Sequence, residues 1–245
     1  MKAWGITDKG VVRAQNQDAF FLHVLHEDDQ AILVVCDGMG GARAGDVASD
    51  LALQTFVGEV RRVLNPDMDV GELRRMLSDA VCKANEVVWS KAETDGGGFA
   101  GMGTTLVGAV VSGRRAVVVN VGDSRAYHIN LPGIGRVTKD HSLVEDLLTK
   151  GDLTATEARS HPSKNLITRA LGTDPKVDCD LYSFEMTPGD SLLLCSDGLS
   201  NVVEDQEILY EVQQGGEPLK ACTQLLALAC DRGGPDNITV AMVSL

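Results

Sequence analysis

The 245-residue chain carries 35 acidic and 22 basic residues, a net charge of −13, with 44% hydrophobic and 23% charged residues. That balance describes a globular protein with a sizeable core, of a length that suits one large α/β or β-rich domain. The acidic surplus argues against nonspecific nucleic-acid binding and against docking on anionic lipid, both of which need basic surface. It fits a solvated surface, and it also fits carboxylates gathered to hold cations.

The N-terminus, MKAWGITDKG, has no apolar core of a signal peptide, and no apolar run reaches the length of a membrane span. Six cysteines show no C-x-x-C spacing, and most read as small buried hydrophobes. Together these features point to the cytoplasm. In chain order, Ala31 to Cys36 (AILVVC) reads as a strand buried on both faces, ending in Asp-Gly and a turn. Helical spacing follows at Val47, Ala48, Leu51, Ala52, Phe56, Val60 and Val63. It recurs from Leu73 through Met76, Leu77, Ala80, Val81 and Ala84 to Val87 and Val88. After a glycine-rich loop at 96–103, the runs TTLVGAVV, AVVVNV and SRAYHI read as an antiparallel meander. A less regular stretch runs from about Thr138 to Asp174. SLLLCSDG is a further buried strand, residues 217–231 a helix with Pro218 in its first turn, and NITVAMV a closing strand. With no repeat or linker, the chain is expected to form one interleaved domain, two antiparallel sheets packed face to face with helix pairs outside.

Four aspartates share a context. Asp37, Asp123 and Asp197 follow apolar strands, and Asp236 precedes one, each beside glycine or in a glycine-rich turn. Any one alone reads as a turn residue or helix cap. Strand ends from different parts of a sandwich can converge at one edge, however, and carboxylates converging there repel unless cations lie between them. Oxygen ligands without His or Cys suit Mg²⁺ or Mn²⁺ rather than Zn²⁺. Two such ions about 4 Å apart can activate a bridging water and clamp a phosphoryl oxygen.

VRAQNQD (Val12–Asp18), DGMGG (Asp37–Gly41), GMGTT (Gly101–Thr105), GDSRAY (Gly122–Tyr127), KDHS (Lys139–Ser142), SDGL (Ser196–Leu199) and GGPDNITV (Gly233–Val240) occur in that order. This series resembles the metal-dependent protein phosphatases of type 2C, most closely the compact bacterial members, from about Thr7 to Val243. The resemblance implies a four-layer α-β-β-α sandwich with the metal site at one edge. It implies a single phosphatase domain over 1–245 with a flap at about 150–172. It implies hydrolysis of phosphoserine and phosphothreonine by a metal-bound hydroxide, with two Mn²⁺ or Mg²⁺ ions held tightly and a third weakly.

Residue by residue, Asp37 is similar to the carboxylate bridging two metals and the Gly38 carbonyl to a ligand of one of them. Asp197 and Asp236 are similar to ligands of the other. Asp18 resembles the acid that orients metal-bound water, and Arg13 the fork that holds substrate phosphate. Asn237 supports the site, and Asp123 resembles the ligand of the weak third metal. Implied partners are phosphorylated proteins, among them a Ser/Thr kinase whose work the enzyme reverses, with the phosphatase a monomer that engages neither nucleic acid nor membrane. Two positions depart from the pattern. Gln17 stands where many members have Glu, which removes a charge near the metals. Met39 stands where eukaryotic members often have a candidate general-acid His, which leaves the proton donor open, a metal-bound water being one candidate.

Other signals are weaker. The Gly96–Gly101 run precedes a strand, the reverse of a dinucleotide site, and no Gly-Lys dipeptide exists for a P-loop. His23 and His26 read as a strand end facing water, His141 as structural, and His161 as lining the cleft. No cysteine has Arg at the sixth following position, as a thiolate phosphatase requires; Cys36 with Arg43 misses by one. An inactive relative would lack the metal carboxylates, and a two-metal nuclease does not fit the acidity or the motif order.

Overall fold

The computed structural model describes residues 1–25, 29–40, 44–94 and 98–245, with the side chains of Ala155, Arg159 and Ser160 left aside. His26, Gly41, Arg43, Gly96 and Gly97 lie outside the described residues.

Two antiparallel sheets face each other. One has the order β1 (Lys2–Asp8), β11 (Ile238–Ser244), β10 (Ser191–Cys195), β7 (Arg125–Asn130), β8 (Gly133–Arg136). The other has β2 (Asp18–Leu25), β3 (Gln30–Met39), β5 (Leu106–Ser112), β6 (Arg115–Val121), β9 (Asp180–Glu185), with β4 (Gly103–Thr104) pairing the end of β3. Helices α1 (Ala44–Val63) and α2 (Val70–Thr94) cover the second sheet, and α6 (Asp205–Gly215) and α7 (Pro218–Asp231) the first. The result is the α-β-β-α sandwich.

Three apolar layers explain the continuous apolar strands. In β3, Ile32, Val34 and Cys36 pack under α1 and α2, while Ala31, Leu33 and Val35 pack between the sheets. In β10, Leu193 and Cys195 pack under the other helix pair, and Leu192 and Leu194 between the sheets. Side chains alternate across a strand, so a strand covered on both faces has no polar positions to show.

Three expectations are corrected. The first strand does not end at Asp37-Gly38 but runs to Met39, because β4 pairs Gly38 with Thr104 and Met39 with Gly103. TTLVGAVV, AVVVNV and SRAYHI do not form a meander. β5 pairs β6, but β6 continues to β9 and β7 pairs β10, so the Gly122-Asp123 turn carries the chain from one sheet to the other. Valines are equally at home in either arrangement, and spacing does not tell a hairpin from a sheet-crossing turn. Val63, counted on the buried face of α1, is exposed because the helix ends there. The irregular stretch holds the short helices α3 (Leu143–Lys150) and α4 (Ala155–Ser160). No helix among the described residues is long and apolar enough to cross a membrane.

Candidate metal centre

The carboxylates meet where strand ends from both sheets converge. Asp18 opens β2 and stands opposite Asp37 of β3 in the pairing register. Asp197 opens the short helix α5 (Asp197–Ser200) directly after β10. Asp236 lies just before β11, the neighbour of β10, and Asp123 lies on the turn that crosses between the sheets. Asp18, Asp37, Asp123, Asp197 and Asp236 are each half-buried.

Bringing them together is electrostatically unfavourable. Desolvation pushes the Asp37 carboxyl well above its ordinary range, and Asp18, Asp197, Asp123 and Asp236 push it further. Desolvation likewise raises Asp18 to about 7, Asp123 to about 8 and Asp197 to about 6. The charge of Asp236 raises Asp197 further, while the neighbouring Asp37 side chain lowers it.

The backbone and polar side chains fix this geometry. Asp18 Oδ2 accepts from Ser196 Oγ at 2.7 Å and Thr239 Oγ1 at 2.6 Å, which leaves Oδ1 buried without a partner. Asp197 Oδ2 accepts from Asn201 Nδ2 at 2.9 Å, and its Oδ1 is also buried and unpartnered. The Asp37 N–H donates to Thr105 Oγ1 at 2.9 Å, and that hydroxyl lies 2.7 Å from Ser124 Oγ, beside Asp123. Asn237 ties the edge together. Its Nδ2 donates to the carbonyls of Lys9 and Gln15, each at 2.9 Å, and its Oδ1 accepts from the Gln17 N–H at 2.8 Å. The Gln17 carbonyl in turn accepts from the Gly38 N–H at 3.1 Å and from Ser49 Oγ at 2.7 Å.

Arg13 sits at the rim, half of its side chain exposed, and donates from Nη2 to Asp236 Oδ2 at 2.7 Å. Its loop is clamped by the Gly234 carbonyl, which accepts from the N–H groups of Val11 at 2.9 Å and Val12 at 3.2 Å. A cleft of about 440 Å³ opens from Asp123 and Asp197 towards Arg136, Lys164 and Glu204. His161 is not among its lining residues; its Nδ1 accepts from the Ser163 N–H at 3.1 Å, which turns the ring back onto its own loop. His23 is exposed on β2.

The donor set fits small hard cations. Among the described residues no three His, Cys, Asp or Glu side chains form a cage by themselves. Mg²⁺-type ions need none, since they take one or two carboxylates and keep several waters. Two buried carboxylate oxygens without partners, in an all-oxygen cluster where desolvation and mutual repulsion push up Asp18, Asp37, Asp123 and Asp197, are what such ions would satisfy.

A stability prediction follows. An acid whose folded pKa lies above its unfolded value binds more protons folded than unfolded, so stability falls as pH rises between the two. Against an unfolded value of 3.8, the window for Asp197, Asp18 and Asp123 runs up to about 6, 7 and 8. Metal-stripped protein is therefore expected to melt at progressively lower temperature from about pH 4 to about pH 8, and Mn²⁺ to raise its Tm more at pH 8 than at pH 5. A Tm increment on Mn²⁺ addition that shrinks with rising pH contradicts this.

The cysteines stand apart from the chemistry. Cys36, Cys195 and Cys222 are buried and their thiols pushed up by burial, the opposite of an activated nucleophile. Cys82 is the exposed one. Its alkylation is expected to leave activity intact, and loss of activity in proportion to labelling contradicts this.

Several supporting positions lie in or beside the quoted motifs, but their roles are not readable there. Ser196, Thr239, Thr105, Ser124 and Asn201 hold the acids, yet each is a common polar residue whose meaning comes only from the partner it meets across the fold.

Comparison with known proteins agrees with this fold. Residues 11–227 match the Protein phosphatase 2C family. The chain is 37% identical over 239 residues to the serine/threonine phosphatase stp of Listeria monocytogenes, covering 97% of this chain and 93% of the relative. Its fold superposes on the serine/threonine phosphatase Stp1 from Staphylococcus aureus with a TM-score of 0.92 at 36% identity, covering 100% of this chain and 95% of the other. It is also similar to the catalytic domain of the serine/threonine protein phosphatase PstP, solved in complex with two manganese ions, with a TM-score of 0.85 at 35% identity over 99% and 97% of the two chains. Motif order, sandwich, carboxylate cluster and these likenesses converge: the chain belongs to the protein phosphatase 2C family of metal-dependent serine/threonine protein phosphatases.

Proposed function

We propose that this protein hydrolyses phosphoserine and phosphothreonine in other proteins, in the cytoplasm, as a monomer that reverses the work of a Ser/Thr kinase. The observation that carries the reading is the convergence of four desolvated carboxylates and Asp236 beside a rim arginine at the open edge of the sandwich.

In this reading Asp37 and the Gly38 carbonyl, with Asp197 and Asp236, hold two Mn²⁺ or Mg²⁺ ions. When bound, those ions supply an activated water nucleophile and offset the negative charge of the phosphoryl group. The chain does the positioning. Asp18, pinned through one oxygen by Ser196 and Thr239, presents the other to orient the attacking water. Arg13 exchanges Asp236 for the substrate phosphate, which it holds by a forked, charge-assisted contact. Met39 has no proton to give, so the leaving alkoxide takes its proton from a water. No side chain becomes phosphorylated.

Arg13 gives a test. A hydrogen bond to a charged group is worth about 1.5–3 kcal/mol, so Arg13→Ala is expected to raise KM for a phosphopeptide about tenfold or more. Arg13→Lys is expected to recover little of that, because an ammonium cannot fork. An unchanged KM in both variants contradicts the role.

Asp123 and the segment at 150–172 extend the reading. Asp123 contributes to a third, weaker cation site, and the segment forms a flap that helps choose protein substrates. Among the described side chains at 150–169 all but Ala158 are exposed or half-buried, as suits a surface flap, and Ala170, Leu171 and Gly172 anchor its end in the interior. Metal titration is expected to show a weak site that Asp123→Ala removes while tight binding persists. Replacing residues 151–170 is expected to reorder phosphopeptide preferences more than it changes turnover of a small aryl phosphate. Loss of tight binding in Asp123→Ala would move Asp123 into the two-metal core.

A further inference from the structure

Asp123 stands on a turn that belongs to neither strand ladder, where the chain leaves β6 for β7. Something else must hold it. The preceding peptide is gripped on both sides by one residue. The Gly122 N–H donates to His141 Nδ1 at 3.0 Å, and the Gly122 carbonyl accepts from the His141 N–H at 2.9 Å. Asn120 Nδ2 adds a third bond to that carbonyl at 3.1 Å. Gly122 itself has φ +108°, and a Cβ there would lie 2.6 Å from Thr105 Cγ2, so the turn has little room to relax.

The tautomer follows from the geometry. A ring nitrogen that accepts from a backbone N–H carries no proton, so the proton of His141 is on Nε2. That nitrogen faces Asp180 Oδ2 at 3.2 Å. Arg169 Nη1 lies 3.1 Å from the same Nε2 and donates to Asp180 Oδ1 at 3.2 Å and to the Asp178 carbonyl at 3.2 Å. Ring and guanidinium therefore share Asp180 as acceptor. The imidazole is nearly buried, so it cannot turn to water instead.

His141 is also the neck of the segment that follows. Its carbonyl accepts from the Thr168 N–H at 2.8 Å, Leu143 N–H donates to the Leu166 carbonyl at 3.0 Å, and Ser142 bridges Ile167. The two ends of the 143–167 stretch close on residues 141–143, beside the ring that holds the Asp123 turn.

We propose that His141 is a positioning residue: its imidazole sets the Gly122-Asp123 turn and couples it to the neck of the 143–167 segment. The consequence for a weak cation site rests on the reading of Asp123 given above. A His that merely filled space would be replaceable by any side chain of similar volume, whereas this role requires an acceptor at the δ position.

Three variants separate the two. His141→Asn keeps an acceptor at the δ position, His141→Gln moves it outward, and His141→Leu removes it. In metal-stripped protein, amide hydrogen exchange at residues 122–124 is expected to quicken tenfold or more in the Leu and Gln variants and to stay near the parent rate in Asn. In Mn²⁺ titration, the weak site is expected to weaken tenfold or more in Leu and Gln and to persist in Asn, with tight binding kept throughout. Asn as impaired as Leu, or unchanged exchange at Gly122 in Leu, overturns the proposal. A parent titration with no weak site sensitive to Asp123→Ala would overturn the metal reading of Asp123 alone, and the exchange rates would still decide on His141. Should the variants fail to fold, nitrogen-15 NMR of the unmodified protein decides: an unprotonated Nδ1 and protonated Nε2 at neutral pH are expected, and the reverse tautomer overturns the assignment.

Discussion

Asp37→Asn is expected to lower turnover on a phosphothreonine peptide about a thousandfold or more, equivalent to roughly 4 kcal/mol at the barrier. Asp37 is the acid that all four of the others push upward. Asparagine keeps its shape and loses the charge that would hold a cation between the two sides of the site. The same substitution relieves repulsion among buried acids. Metal-stripped Asp37→Asn is therefore expected to melt no lower than metal-stripped parent, and Mn²⁺ to raise its Tm much less. Activity and metal-free stability should move in opposite directions, which a variant that merely misfolds cannot reproduce. Asp197→Asn and Asp236→Asn are expected to cost similar amounts in rate. Turnover within tenfold of the parent for Asp37→Asn would remove it from the site.

The second large effect is expected at Gly198. This residue follows Asp197 in α5, and a Cβ there would overlap the backbone carbonyl of Asn237, next to Asp236. A rigid main-chain neighbour cannot give way as a side chain would. Gly198→Ala must therefore push the Asp197 and Asp236 backbones apart. Overpacking of this kind costs about 1–3 kcal/mol, and for a domain of this size each kcal/mol is about 2–4 °C in Tm. A fall of several degrees is expected. Displacing reacting groups by about 1 Å costs on the order of a hundredfold in rate, so turnover is expected to fall about that far in the protein that remains folded. Gly58 provides the control, since a Cβ there meets nothing within 4 Å. Gly198→Ala with the Tm and turnover of Gly58→Ala would mean that the close approach does not hold the two acids in place.

Much of this was legible in the chain. AILVVC and SLLLC showed no polar positions because both faces of β3 and β10 are covered, and the aspartates stood out because each closes or opens such a strand. The α1 and α2 faces were readable from apolar spacing, apart from Val63 at the helix end. What could not be read was which sheet a strand joins. AVVVNV and SRAYHI look alike, and only the pairing partners β9 and β10 separate them. The supporting hydroxyls were legible only as motif members: Ser196 in SDGL and Thr239 in GGPDNITV, with Asn201 just beyond, take their roles only when the fold sets them against Asp18 and Asp197. His141 was legible as part of KDHS, but its grip on Gly122 depends on a contact 19 residues back along the chain, which spacing alone does not reveal.

The most direct test of the central claim is hydrolysis of a phosphothreonine peptide by metal-stripped protein, before and after Mn²⁺ is added back. No turnover above background is expected in excess EDTA, with activity restored by Mn²⁺ in the parent protein and not in Asp37→Asn. Full turnover in excess EDTA would contradict a metal-dependent phosphatase built on these carboxylates.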